Sequence, residues 1–478
     1  MKPLHRRDGK IGLVLCAVLT TGLPALCSAH EGHDHPKPKK ARPEIVYRPT
    51  AVPDRIVLTW ADDPSASQAV TWRTDASVKH AVAEFAVAEA GPKFVSKSKR
   101  IDATTSPLKT DLGEAHYHTA YFTGLEPGTK YAYRVGDGVN WSEWNHFRTA
   151  ASSSEPFSFV YFGDAQNQVK SMWSRIIREA YSDAPQASFF LHAGDLINTA
   201  DSDAEWGEWF YAGGWIHSTL PCIATPGNHE YDEDDENEKI EFLTHHWRPQ
   251  FAFPENGPKG LEETAYYLDY QGVRIVSLDS NRKFIPQRSW LNKVLADHDN
   301  RWTIITHHHP LYAAKPNRDN SLLRRVWQPI YDKHGVDLVL QGHDHSYARS
   351  RLMSAKNKTT GVNVRNQQTG AVYVVSVSGP KMYDVRKRPF VSRVAEDTQL
   401  YQIITVDGDE LRYEARTAIG EIYDAFTLRK RPGQINELIE QLPDTRDRRR
   451  PAVAARPKRE PVEARRHFLD TERSKAGD

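Results

Sequence analysis

Residues 336–345 read VDLVLQGHDH, an apolar run that stops at Gly342 and then sets His343 and His345 two apart with Asp344 between them. In an extended segment the side chains at i and i+2 project to the same face, so both rings would leave the strand end together. A polar surface loop fits this one stretch as well as a metal pincer does, and the flanking chain has to decide. Working back, the same pattern recurs. FSFVYFGD ends at Asp164, ASFFLHAGD ends at Asp195, PCIATPGNHE carries Asn228 and His229, and RWTIITHHHP carries His308. Helix-like stretches, VKSMWSRIIREAY and AEWGEWFYAGGWIH, lie between them. Apolar strands alternating with helices over 155–428 predict an α/β layered domain whose strand ends carry function. Strands at AVYVVSVSG, LYQIITVDG and ELRYEART are expected to form a second sheet completing it.

The polar residues at these strand ends share a chemistry. Glycine precedes Asp164, Asp195, Asn228 and His343, which suits a chain that must turn sharply and bring its backbone close to a site. Carboxylates, imidazoles and an amide oxygen, with no cysteine among them, are hard-to-borderline ligands of the kind that hold Mn, Fe or Zn. One carboxylate set between two such ions can bridge them. A lone Gly-Asp or Asn-His pair often does no more than cap a turn. The ordered series GD, GD, GNH, H-x-P, GHxH has no packing reason of that kind.

Upstream, residues 55–150 change character. Short alternating runs such as RIVLTW, QAVTWRT, AVAEFAV and KYAYRVG are separated by turn residues, which predicts a β-sandwich. Trp72 and Trp141 read as packing residues there. The first 29 residues have a basic start, a short apolar stretch broken by Pro24, and small residues before a cut after Ala29, the pattern of an export signal. Residues 30–54, with His30, His33 and His35, read as a polar tether with at most weak metal affinity. Residues 429–478 read as a disordered charged tail with one short amphipathic helix at INELIEQL and basic clusters able to make weak envelope contact.

The 478 residues carry 63 Lys and Arg against 62 Asp and Glu, so nothing in the balance asks for nucleic acid. No segment after the signal is a spanning candidate. Cys16 and Cys27 leave with the signal, and Cys222 stays alone without a disulfide partner. The chain is therefore expected to be exported, periplasmic or secreted, and held together by core packing.

The series over 155–428 resembles the calcineurin-like metallophosphoesterases. The whole of Arg55 to Leu428 is similar to purple acid phosphatases, which place a fibronectin type III-like sandwich first. The run LEPGTKYAYRV, in which Tyr131 closes a strand corner, and the run GHDHSYARS carry the same likeness. The resemblance implies that Asp164 and His345 bind one metal and that Asn228, His308 and His343 bind the other, with Asp195 bridging. It implies two divalent or mixed-valence ions, Fe, Mn or Zn, and selects His308, two residues before Pro310, over His307 and His309. It places His229 as the residue that stabilises the transition state or protonates the leaving oxygen; the alternative is that His229 only orients Asn228.

Three departures bear on specificity. The position of the family's colour-giving tyrosine, three residues after the bridging aspartate, holds Asn198, which implies a colourless enzyme preferring divalent ions. Gln166 stands near Asp164 where relatives carry a histidine, as a further contact to metal or to its ligands. Lys315, Asn317 and Arg318 stand where some relatives place a histidine pair. The expected activity is hydrolysis of a phosphate ester, a monoester first, by a hydroxide generated between two ions about 3.5–4 Å apart. A phosphodiesterase or nucleotide pyrophosphohydrolase is the alternative on the same site. A secreted adhesion protein with a relic phosphoesterase domain is the alternative outside enzymes.

Overall fold

The computed structural model describes residues 40–234, 239–355, 370–386 and 388–450. The export signal, His30, His33, His35 and the tail beyond 450 lie outside the described residues.

The region 54–148 folds as two four-stranded antiparallel sheets, with Ser67–Asp75 and Gly113–Thr123 central in one and Val82–Val87 and Lys130–Gly136 central in the other. Trp72, Phe85, Phe122, Tyr133 and Phe147 fill the space between them. The Tyr131 hydroxyl accepts from the Glu126 N–H at 2.9 Å, closing the corner into its strand. Trp141 is half-buried and lies under the Arg134 guanidinium, 4.1 Å from the ring centroid.

The second region is built on two seven-stranded sheets. In the first, Cys222–Ala224, Phe190–His192 and Phe157–Phe162 run parallel, and Leu400–Asp407, Glu410–Thr417, Ile422–Arg429 and Glu437–Glu440 follow antiparallel. In the second, Val273–Ser277, Trp302–Thr306, Leu338–Gln341 and Ala371–Val375 are parallel neighbours. The expected single completing sheet is thus corrected. Ala371–Val375 joins the strand that leads to His343, whereas Leu400–Asp407 and Glu410–Thr417 extend the sheet that leads to Asp164.

Side-chain alternation explains how the sheets stack. Ile304, Leu338, Leu340, Val372 and Val374 face the core shared with Phe159, Tyr161, Ile404 and Phe426 of the first sheet. Their neighbours Ile305, Val339 and Tyr373 face a second core with Trp327 and Leu291 of the helices Ser321–His334 and Phe284–Val294. Strands covered on both faces read as unbroken apolar runs, which is why VDLVL and TIIT show no polar alternation. The helices Ser174–Asp183 and Asp203–Gly213 contribute Ile176, Ile177, Trp206 and Trp209 to the first core.

One segment departs from its sequence reading. The amphipathic helix expected at INELIEQL is instead the strand Glu437–Glu440, paired antiparallel with Ile422–Arg429. Eight residues are too few to nucleate a helix alone, and an open sheet edge offers them a full ladder. Leu438 packs on the main core, and Glu440 receives the Arg349 guanidinium at 2.6 Å. Residues up to 450 are likewise docked, with Arg393 donating to the Thr445 carbonyl at 2.6 Å and Arg450 to Asp397 at 2.6 Å. The solvated-tail reading is corrected for 429–450.

Candidate metal centre

The parallel strands of the two sheets end at one edge, and their end loops are stitched together there. The N–H groups of Ala165 and Gln166 donate to the Asp195 carbonyl at 3.0 Å each, and the Gly342 N–H donates to the His308 carbonyl at 3.0 Å. The His343 N–H reaches across to Asp164 Oδ2 at 2.7 Å, and Asp164 forms an isolated parallel bridge with Val377. The Gln341 N–H donates to the Tyr161 hydroxyl at 3.0 Å, a further tie between the sheets just behind the site.

These contacts bring Asp164, Asp195, Asn228, His308, His343 and His345 into one cluster. Two groups of donors, Asp195 with His308 and His343, and Asp164 with Asp195 and His345, each lie within 4.8 Å of one another and share Asp195. Asn228 Oδ1 is 3.1 Å from His308 Nε2 and so belongs with the first group. Ligands of one ion at bonds of about 2.0–2.2 Å are separated by about 4 Å or less, so each group is close to the dimensions of a single-ion site. The donor set of carboxylate, imidazole and amide, without sulfur, fits a pair of first-row metal ions.

The imidazoles are oriented from behind. His308 Nδ1 donates to the Ala193 carbonyl at 2.9 Å and His345 Nδ1 to the Lys381 carbonyl at 3.1 Å, so each presents Nε2 to the centre. Carbonyl partners of this kind fix the tautomer that a metal requires. The pincer itself does not come from strand alternation as its sequence spacing predicts. The strand stops at Gln341, and His343 and His345 sit at φ of +72° and +45°, with Asp195 at +54°. Non-glycine residues in this region cost about 1–3 kcal/mol each and persist where surroundings hold them, typically at functional sites.

Charge is unevenly distributed across the cluster. Burial raises the Asp164 carboxyl well above its usual range, with the neighbouring Asp195 charge adding to the shift. Burial acts the same way on Asp195, but His308, His229 and His343 outweigh it and hold that carboxyl well below. Burial alone would lower His308, yet the Asp195 carboxylate 3.2 Å away lifts it to about 9. His345 is pushed down to about 3 by burial, with Lys381 and His308 adding to the shift against the opposing Asp195 charge.

His229 donates from Nδ1 to the Asn198 carbonyl at 2.5 Å, and its N–H donates to Asp195 Oδ1 at 3.1 Å. The Asn198 side-chain oxygen accepts from Asn167 Nδ2 at 2.8 Å, so its contribution to the site runs through its backbone carbonyl. Gln166 is buried, donates from Nε2 to Asp195 Oδ2 at 2.5 Å and accepts from Lys381 Nζ at 3.3 Å. It holds the shared carboxylate with its nitrogen. His307 is buried against Trp327, while His309 lies against His343 at 4.2 Å between ring centroids. Sequence reasoning missed Glu230. Fully buried, it accepts the N–H groups of Asp195 at 2.9 Å, Leu196 at 2.7 Å and Gly227 at 2.6 Å. Its position directly after Asn228-His229 was the available signal.

Residues 53–149 match the family described as Purple acid Phosphatase, N-terminal domain, and residues 157–347 match the family described as Calcineurin-like phosphoesterase. The chain is a purple acid phosphatase-like metallophosphoesterase. It is 24% identical over 341 residues to Purple acid phosphatase 5 of Arabidopsis thaliana, covering 68% of this chain and 79% of that one. It is 27% identical over 333 residues to Acid phosphatase type 7 of Homo sapiens, covering 63% of this chain and 71% of that one. The fold is shared with the purple acid phosphatase PPD1 of yellow lupin at a TM-score of 0.67 and 19% identity, over 79% of this chain and 74% of that one. It is shared also with PhoD at a TM-score of 0.61 and 13% identity, over 88% of this chain and 97% of that one. These findings support a metal-dependent phosphatase. Among the described residues no helix is long and apolar enough to cross a membrane.

Proposed function

We propose that the chain is an exported phosphomonoesterase with a dinuclear metal site, in which Asp164 and His345 hold one ion, Asn228, His308 and His343 hold the other, and Asp195 bridges. The observation that carries this reading is the pair of donor groups sharing Asp195. When bound, the ion pair supplies Lewis acidity toward the phosphoryl oxygens and a nucleophile available near neutral pH.

The chain's own residues supply the rest. Ala193 and Lys381, through their carbonyls, keep His308 and His345 in the tautomer with Nε2 free for coordination. Gln166 and the His229 N–H each donate to one oxygen of Asp195 and so fix its plane between the two groups. With its Nδ1 proton held by the Asn198 carbonyl, His229 has Nε2 without a hydrogen-bond partner among the described residues. In its imidazolium form, protonated at both nitrogens, the ring is the group assigned to deliver the Nε2 proton to the departing ester oxygen and to be left as the neutral Nδ1–H tautomer, a role of general acids worth about 10²–10⁴-fold in rate.

The test combines metal removal with a substrate panel. Chelated protein should lose phosphate release, and readdition of Mn, Fe or Zn should restore it on a monoester ahead of a diester. Preference for the diester would overturn the monoesterase assignment. For His229→Ala the expected result is unchanged metal content with turnover reduced about 10²-fold or more; unchanged turnover would leave His229 as a residue that only orients Asn228. Export is checked by the amino-terminal residue of the mature protein, expected to be His30.

A further inference from the structure

A cationic cluster borders the His345 side of the metal centre, and of its members only Lys381 has a role above, through its carbonyl to His345 and its ammonium to Gln166. Lys315 lies in the loop after Pro310, and Lys381 and Tyr383 lie in the loop after Gly379; all are half-buried. Tyr383 stacks on the imidazole of His345 with centroids 4.5 Å apart and planes 28° apart. The Lys315 ammonium sits 3.5 Å from the centroid of that same tyrosine ring, and the Lys381 ammonium is 5.8 Å from it. One aromatic ring therefore links a candidate metal ligand to two lysines.

The loops that carry these groups are fixed. The Tyr383 N–H donates to the His345 carbonyl at 2.9 Å, the Arg386 N–H to the Ala314 carbonyl at 2.8 Å, and the Gly379 N–H to the Asp164 carbonyl at 2.6 Å. Asp344, between the two ligand histidines, accepts the Ala314 and Lys315 N–H groups at 3.2 Å each. Arg318 is spent on this framework, donating to Asp344 Oδ1 at 2.8 Å and to the His343 carbonyl at 3.0 Å. Neither lysine has such a partner. Among the described residues neither ammonium is ion-paired with a carboxylate; Lys381 meets the Gln166 amide oxygen and Lys315 meets the tyrosine ring.

Two half-buried ammonium groups without carboxylate partners, held at the rim of a phosphate-processing centre, form a preorganised anion site. Burial depresses the Lys315 ammonium, with Arg318 and Lys381 adding to the shift and Asp344 opposing it.

We infer that Lys315, Lys381 and Tyr383 form a second anion subsite beside the metal centre, which takes the next phosphate of a substrate bearing two or more phosphoryl groups. This rests on the reading of the metal centre as the place of hydrolysis and narrows the substrate class to condensed phosphates, inorganic or nucleoside-linked. Lys381 also positions Asp195 through Gln166, so Lys315 is the residue that isolates the subsite.

The test compares kcat/KM of the metal-loaded full-length enzyme for inorganic tripolyphosphate, a nucleoside triphosphate and phenyl phosphate. In Lys315→Met the ratio of either polyphosphate to phenyl phosphate should fall about tenfold, mainly through KM, and Lys315→Arg should restore most of it. Methylenediphosphonate should compete with phenyl phosphate more strongly than orthophosphate does, and Lys315→Met should remove that advantage. A nucleoside triphosphate affected while tripolyphosphate is not would assign the lysine to base or sugar contact and overturn the subsite as stated. Phosphate release from all substrates with unchanged ratios would overturn the subsite and leave the metal centre standing. Release from none after metal loading would overturn the centre itself and the subsite with it.

Discussion

Asp195 is asked to face two groups of ligands at once, and its neighbours show how one residue is kept there. Its backbone sits at positive φ, its N–H is held by Glu230, and its two oxygens meet Gln166 and the His229 N–H. Glu230 is the hub, since one carboxylate satisfies N–H groups from the Asp195 loop and from the Gly227 loop. Glu230→Ala would strand three buried donors at about 1–3 kcal/mol each, so a loss of at least about 3 kcal/mol is expected. Chemical denaturation with metal analysis on the folded fraction checks it, and a loss under about 1 kcal/mol would contradict the role. Asn198 sets a second residue-level expectation. No phenolate is supplied at that position, and its side chain is already bound to Asn167. Iron-loaded enzyme should therefore lack a strong visible charge-transfer band, and a purple product would contradict this reading.

The elements that carry the ligands are short strands followed by tight loops, and the packing of those loops depends on backbone proximity. A Cβ on Gly227 would overlap Asp195, and one on Gly342 would lie 2.7 Å from Asp164 Oδ2 and 2.9 Å from the Ala193 carbonyl. Gly342→Ala is expected to leave the protein folded but lower metal occupancy, as read by elemental analysis beside circular dichroism. Full occupancy would show that the loop tolerates the shift. Much of this was legible in sequence because buried strands announce themselves as apolar runs and their ends as glycine followed by a ligand-type residue. The positive φ of His343 and His345 was not legible, since spacing alone suggested an extended pair. INELIEQL could not be placed either, because an eight-residue amphipathic stretch reads as a helix until the free edge of a sheet is known to wait for it. Lys381 and Tyr383 reach the site through a loop whose sequence has no strand-end pattern.

At the scale of the whole molecule the sandwich and the phosphoesterase layers share a buried ionic joint. Arg55 and Arg73 of the sandwich meet Asp203 at 2.6 Å and 3.2 Å, where the helix Asp203–Gly213 begins. Burial would raise the Asp203 carboxyl, but the His246 hydrogen bond and the Arg55 charge outweigh it and hold it well below the usual range. A depressed folded value contributes stability that is complete above the unfolded pKa of about 3.9 and is lost as pH falls through the lower folded value. Asp203→Asn should cost about 3–5 kcal/mol near neutrality and flatten the acid limb of stability against pH, both measurable by urea unfolding. An unchanged acid limb would remove the joint from the account. On this reading the joined sheet ends enclose two ions across Asp195. Metal content of the purified, reconstituted protein tests it directly: two ions per chain in the native sequence and a loss of tight binding at both positions in Asp195→Ala are expected, whereas one ion, or none, per native chain would contradict it.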